Sequence, residues 1–251
     1  MIVGIIQARM GSTRLPGKVL MNIGTTTLLE LCLTRLSQSR LVDEWIVATT
    51  DNPEDAAIEA VCTARNIRCF RGSEWDVLDR FYQASLTLAK TPSTLVRICC
   101  DNPTHHGEVV DFTIREYQRY QLDYFSNGNQ GPQYYEDGIT SEVFSYASLV
   151  QAWKESSFLS EREHVTPYIK KSGKFICGWR KFSDDFAFKL SVDTPSDFLL
   201  NNALFEQLGN DFTITELIAF LQKNPSLLNL NKDSVKGEGY LKSLKEDKKV
   251  R

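Results

Sequence analysis

Over the first 125 residues, short β-branched runs alternate with longer segments of helical period, the order that builds a parallel sheet from βαβ units. Residues 2–8 read as the first strand, after which Leu28, Leu29, Cys32, Leu33 and Leu36 recur at helical spacing. Strands over 45–49, 67–70 and 94–100 then alternate with helices over 53–65, 77–88 and 108–120. This order leaves little freedom, because parallel strands are buried on both faces and need helices on each side of the sheet. The run at 94–100 is nearly continuous in apolar residues, interrupted by Arg97, and stops at Asp101-Asn102-Pro103, as a central strand would.

The pattern loosens from about Tyr124. Asn127-Gly128-Asn129-Gln130-Gly131-Pro132 is a strong turn cluster, and regular alternation is lost until about residue 186. Inside that stretch, 143–146 and 175–182 read as strands and 147–155 and 161–171 as helices. Residues 187–192 read as a return to the main sheet, ending at Asp193-Thr194-Pro195-Ser196-Asp197, and 213–222 as a last amphipathic helix. The expected organisation is one domain over 1–228 with an insertion at about 127–181, followed by a polar tail over 229–251.

Composition removes several classes of function. With 29 Lys and Arg against 32 Asp and Glu, the chain has no basic field to attract a nucleic acid or an anionic membrane, and neither is expected as a partner. At 42% hydrophobic, its 251 residues can bury a sizeable core. The apolar residues 2–6 are interrupted by Gln7 and Arg9 before they reach the length of a secretion signal, and no run of about 18 apolar residues occurs, so a cytoplasmic location is expected. Cys32, Cys62, Cys69, Cys99, Cys100 and Cys177 contain no C-x-x-C pair and read as reduced thiols.

The sharpest local feature is Gln7-Ala8-Arg9-Met10-Gly11-Ser12-Thr13-Arg14-Leu15-Pro16-Gly17-Lys18, directly after the first strand. Open α/β folds bind ligands at this carboxyl edge of the sheet. Glycines let backbone N–H groups approach a phosphate, and Arg and Lys supply charge and donors. The loop is neither a Walker A motif nor a G-x-G-x-x-G dinucleotide turn.

This loop, with Phe70-Arg71-Gly72-Ser73, Asp76-Val77-Leu78-Asp79-Arg80, Glu142-Val143-Phe144-Ser145, Ser160-Glu161-Arg162-Glu163-His164-Val165-Thr166-Pro167-Tyr168 and Val192-Asp193-Thr194-Pro195, resembles the acylneuraminate and Kdo cytidylyltransferases. It is most similar to their spore coat polysaccharide biosynthesis protein F branch, and the resemblance spans about residues 1–220. The resemblance implies a Rossmann-like three-layer α/β sandwich with a mostly parallel central sheet, of the nucleotidyltransferase and glycosyltransferase-A-like kind, with a dimerisation insertion. It also implies transfer of CMP from CTP to an acidic sugar or related acid, with release of pyrophosphate.

On that basis Ala8, Arg9, Gly11, Ser12, Arg14 and Lys18 hold the phosphates, with Arg14 and Lys18 opposing the charge that develops during displacement. Arg71, Ser73 and Arg80 lie near the nucleoside, although Arg80 on a helix also reads as a solvated face residue. Glu142, Arg162 and His164 are the acceptor residues, with a strand-start position and a structural hydrogen bond as the plain alternatives for Glu142 and His164. Asp101 and Asp193 are expected to bind Mg²⁺, which is usually held by one or two carboxylates plus substrate phosphates. Their alternative reading is as helix N-caps.

Three departures from the branch stand out: Thr104-His105-His106-Gly107 after the central strand, Cys99-Cys100 before Asp101, and Thr140. The first reads as a different helix start; Cys99, Cys100 and Thr140 motivate one rival, a degenerate nucleotide-binding homologue. A second rival is a nucleotide-sugar-dependent glycosyltransferase, although its usual pair of aspartates one residue apart is missing at Asp101-Asn102-Pro103. The aromatic residues Tyr134, Tyr135, Phe144, Tyr146, Trp153, Phe158 and Tyr168 in the irregular stretch need a surface to cover, and the resemblance implies a homodimer.

Overall fold

The computed structural model describes residues 1–130, 133, 134 and 136–250; Gly131 and Pro132 of the expected turn, and Tyr135, lie outside the described residues. In chain order the strands are β1 (Ile2–Gln7), β2 (Asn22–Ile23), β3 (Thr26–Thr27), β4 (Glu44–Thr50), β5 (Arg68–Gly72), β6 (Thr94–Cys99), β7 (Tyr124–Ser126), β8 (Asn129–Gln130), β9 (Gln133–Tyr134), β10 (Glu142–Ser145) and β11 (Cys177–Trp179). The helices are α1 (Leu28–Leu36), α2 (Ala56–Ala64), α3 (Val77–Leu86), α4 (Gly107–Arg119), α5 (Tyr146–Glu155), α6 (Leu159–His164), α7 (Pro167–Lys171), α8 (Pro195–Leu208), α9 (Ile214–Lys223) and α10 (Glu238–Lys245).

Seven strands form the central sheet in the order β11-β7-β10-β6-β1-β4-β5. Only β10 runs against its neighbours; the other pairings are parallel. Successive residues point to opposite faces, so Val3, Ile5, Ile46, Ala48 and Leu95 feed one core, under α3, α5 and α7. Ile6, Val47, Val96 and Ile98 feed the other, under α1, α4, α8 and α9. This is the expected three-layer α/β sandwich. The helix starts are written locally: Thr27 with Glu30, Thr194 with Asp197 and Thr213 with Glu216 each make a capping box.

The stretch at 127–181 supplies β10 and β11 to the central sheet. Its Phe144 is core, and Tyr146, Trp153 and Tyr168 pack partly buried against the same cluster, while Phe158 is exposed. Two expectations need correction. Residues 187–192 form no strand of the sheet; Lys189 makes one isolated bridge to Asp137, and the Asp137 carboxylate and carbonyl accept from Ser191 and Leu190, so the backbone is satisfied without a ladder. The helix expected at 161–171 breaks into α6 and α7, because Pro167 cannot continue α6 and the buried Val165 turns to φ 68°. The tail is also folded, with a 3-10 helix over Pro225–Asn231 followed by α10.

Candidate active site

β1 delivers the chain to the carboxyl edge, where the loop closes on itself. Met10 N–H donates to Asp55 Oδ1 at 2.7 Å, and Gly17 N–H returns to the Met10 carbonyl at 2.9 Å. Gly17 has φ 71°, a left-handed turn open to glycine at little cost. That turn drives the next side chain, Lys18, inward until it is 8% exposed.

The Lys18 ammonium donates to Asp101 Oδ2 at 3.0 Å and to the Val192 carbonyl at 2.6 Å, and lies 3.5 Å from Asp193 Oδ1. Arg14 Nη2 donates to the same Asp193 oxygen at 2.8 Å. The other oxygen accepts from Lys189 at 3.0 Å, and Lys189 also reaches the fully buried Asp197 at 2.9 Å. Val192 N–H donates to the Asp101 carbonyl at 2.7 Å and so ties the two carboxylate-bearing segments together. Burial alone lowers the pKa of Lys18, but Asp101 and Asp193 outweigh it, and the ammonium is held above the ordinary lysine range. Burial likewise raises Asp193, and Lys18, Lys189 and Arg14 overcome that to hold it below the ordinary carboxylate range.

Helix capping does not explain Asp193. Thr194 is the N-cap of α8, accepting from Asp197 N–H, and His106 is the N-cap of α4. The two carboxylates instead converge on one positive point, presently the Lys18 ammonium. Hard oxygen donors brought to one cation suit Mg²⁺. Among the described residues no group of three or more His, Cys, Asp or Glu is placed to cage a metal, so an ion here would take its remaining ligands from phosphate and water. The residues present fit such an ion.

The other expected residues fall in three further places. Arg9 pairs with Glu74 at 3.3 Å, and Gly11 lies beside the same carboxylate. At the β5–α3 corner, Arg80 is 2% exposed, donates to the Ser73 carbonyl at 2.7 Å and keeps a buried Nε with no partner. Burial first, and then neighbouring Arg9, lower its pKa to about 10. Arg71 donates to the Thr50 and Asn52 carbonyls at 3.1 and 2.7 Å, and Ser73 Oγ accepts from Asp76 N–H at 3.1 Å. Arg80 is therefore not a solvated face residue.

Glu142, at the start of β10, is buried and accepts from Tyr124, Thr166, Lys170 and Arg97. His164 bonds Ser243 Oγ at 2.9 Å and meets Tyr240 edge to face; burial, with Arg97 and Lys170 nearby, lowers its pKa to about 3. Arg162 does not join these groups: its Nε and Nη2 both reach Asp76 Oδ2, at 2.8 and 2.7 Å, and its Nη1 donates to the Trp153 carbonyl at 2.9 Å, bracing α6 against α3. Sequence reasoning missed Lys189, Lys170 and Arg97 as members of the site. Arg97 had a signal, being a charge inside an otherwise apolar strand; Lys189 had only its position four residues before Asp193.

Against known proteins, the sequence model of one family, described as Cytidylyltransferase, matches residues 3–225. An uncharacterised protein of Methanocaldococcus jannaschii is 39% identical over 246 residues, 95% of this chain and 97% of its own. The spore coat polysaccharide biosynthesis protein SpsF of Bacillus subtilis is 34% identical over 235 residues, 89% of this chain and 95% of its own. Among solved structures, a cytidylyltransferase from Leptospira borgpetersenii superposes with a TM-score of 0.83 at 29% identity, covering 90% of this chain and 96% of that one.

Proposed function

Since this chain belongs to the cytidylyltransferase family, in the branch similar to the spore coat protein, we propose that it transfers CMP from CTP to an acidic sugar for surface polysaccharide biosynthesis. The acceptor class is a nonulosonic acid, a Kdo-like sugar or a related acid, and pyrophosphate leaves. The observation that carries the reading is the convergence of Asp101, Asp193 and Arg14 around the Lys18 ammonium at the carboxyl edge of the sheet.

In this reading Arg9, Ser12, Arg14 and Lys18 bind the triphosphate, with the backbone at Ala8 and Gly11 beside it. Lys18 exchanges carboxylate oxygens for phosphate oxygens while the Val192 carbonyl keeps it in place, and its positive charge opposes the charge that builds as the α-phosphate is attacked. Asp101 and Asp193 would hold Mg²⁺, which when bound supplies neutralisation of charge on the α-phosphate and the departing pyrophosphate. Arg80, with its unpartnered Nε, lies with Ser73 and Arg71 on the nucleoside side. Glu142 and His164 take the acceptor, with Arg97 and Lys170 adding positive charge suited to an acid, and Arg162 fixes α6. The acceptor oxygen attacks directly, so no nucleophilic side chain is required.

The reading extends to a cytoplasmic homodimer in which the 127–181 stretch of one subunit reaches the other's acceptor site. No helix among the described residues is long and apolar enough to cross a membrane. The chemistry is tested by following pyrophosphate release from CTP, UTP, GTP and ATP with Mg²⁺ against nonulosonic acids, Kdo and phosphonates. Release with CTP and an acidic sugar is expected; binding of CTP with no release across the panel would reject transfer.

A further inference from the structure

The segment after residue 225 lies beyond the matched family region, yet it reaches the site at three places. At its root, Asn231 and Ser234 donate to the Asp197 carboxylate at 2.9 and 3.1 Å, and Asp197 shares Lys189 with Asp193. In its middle, Glu238 pairs with Arg14. Beyond that, Tyr240 and Ser243 contact His164. α10 thus runs from Arg14 of the phosphate loop to His164, the acceptor residue.

Both ends of this strap are fastened. Gly237 turns into α10 at φ 67°, while past α10 the Lys248 carbonyl accepts from Leu159 N–H at 2.9 Å, Val250 N–H donates to the Ser157 carbonyl at 2.8 Å and Asp247 accepts from Ser160 N–H at 2.9 Å. α10 itself buries no residue, so little apolar contact resists its displacement. The Glu238 carboxylate occupies an arginine that the proposed function gives to a triphosphate.

We propose that Glu238 holds Arg14 as an internal stand-in for a phosphate, so that α10 closes over the empty loop and is displaced when a polyphosphate binds. The inference rests on the phosphate-binding reading of the loop but not on the identity of the base or the acceptor. Glu238 acts through Arg14 and is a positioning residue.

The test measures binding of inorganic tripolyphosphate and of CTP by calorimetry to the full chain, to Glu238→Gln and to Glu246→Gln, a tail control. Removing the exposed Glu238 charge from Arg14, which keeps its bond to Asp193, predicts about three- to fivefold tighter tripolyphosphate binding for Glu238→Gln and no change for Glu246→Gln. Hydrogen exchange in α10 should quicken when tripolyphosphate binds, which a purely structural Glu238 would not produce. Equal affinity of the wild type and Glu238→Gln, or α10 amides unchanged or slowed by the ligand, overturns the gate. Tripolyphosphate showing the effect while CTP fails to bind upholds the gate and rejects the cytidylyltransferase reading, so the two fail separately.

Discussion

Asp193 faces three cations, Arg14, Lys18 and Lys189, and the last of these also serves the fully buried Asp197. Lys189 is therefore both a brace for the site and a counterion for the core. Lys189→Met leaves Asp197 without its cation, and breaking such a buried pair costs about 3 kcal/mol or more, read as a lower urea midpoint. An unchanged midpoint would show that Asn231, Ser234 and the α8 N-terminus suffice for Asp197. The phosphate loop was legible because its glycines and cations are contiguous and follow a recognisable strand. Glu238 was not, because Arg14 comes from a distant segment that only the fold brings near it, and Lys189 was not, because the irregular segment that turns it onto the nearby Asp193 and Asp197 has no period to read.

Element by element, the first 125 residues were legible because each strand and helix there is long enough to show its period. β7 was not, being three residues whose role comes from pairing with β10 and β11. The 187–192 segment alternates like a strand but spends its hydrogen bonds on Asp137. The loop into α4 hides a further consequence. His105 is fully buried with Nε2 2.8 Å from Ser141 Oγ, and Arg35 donates to its carbonyl at 3.0 Å. Burial lowers the His105 pKa to about 3. Between about pH 6.5 and 3 the unfolded chain binds a proton that the folded chain refuses, so stability falls as pH falls through that window. His105 contributes about 2 kcal/mol of this loss by pH 5, measured by urea denaturation at pH 7.5 and 5, and His164, lowered likewise, adds to the same slope. His105→Gln should therefore make the slope shallower without abolishing it; an equally steep slope in the variant would assign it elsewhere.

For the whole molecule, the three-layer sandwich brings the loop after β1, Asp101 after β6 and Asp193 before α8 together at one edge of the sheet, and the resemblance of ordered motifs foretold that edge. Assembly is a separate matter. Most of the aromatic residues expected to seek a partner cover their own core, as Phe144, Tyr146, Trp153 and Tyr168 do, which leaves the exposed Phe158 for any neighbour. Light scattering at micromolar concentration should give about twice the 28.6 kDa chain mass. A fully active monomer would exclude an acceptor site shared between subunits.

In the proposed function the cluster of Asp101, Asp193, Arg14 and Lys18 transfers a cytidylyl group. The most direct test follows the α-phosphate label of CTP in the wild type and in Asp193→Asn, with Mg²⁺ and an acidic sugar that supports release. The label should move to the sugar in the wild type and move at least about a hundredfold more slowly in the variant, the scale of losing a principal charge-stabilising group. Thr194 still caps α8 in that variant, so its fold, checked by circular dichroism, should persist. Equal transfer by a folded Asp193→Asn enzyme would contradict the account.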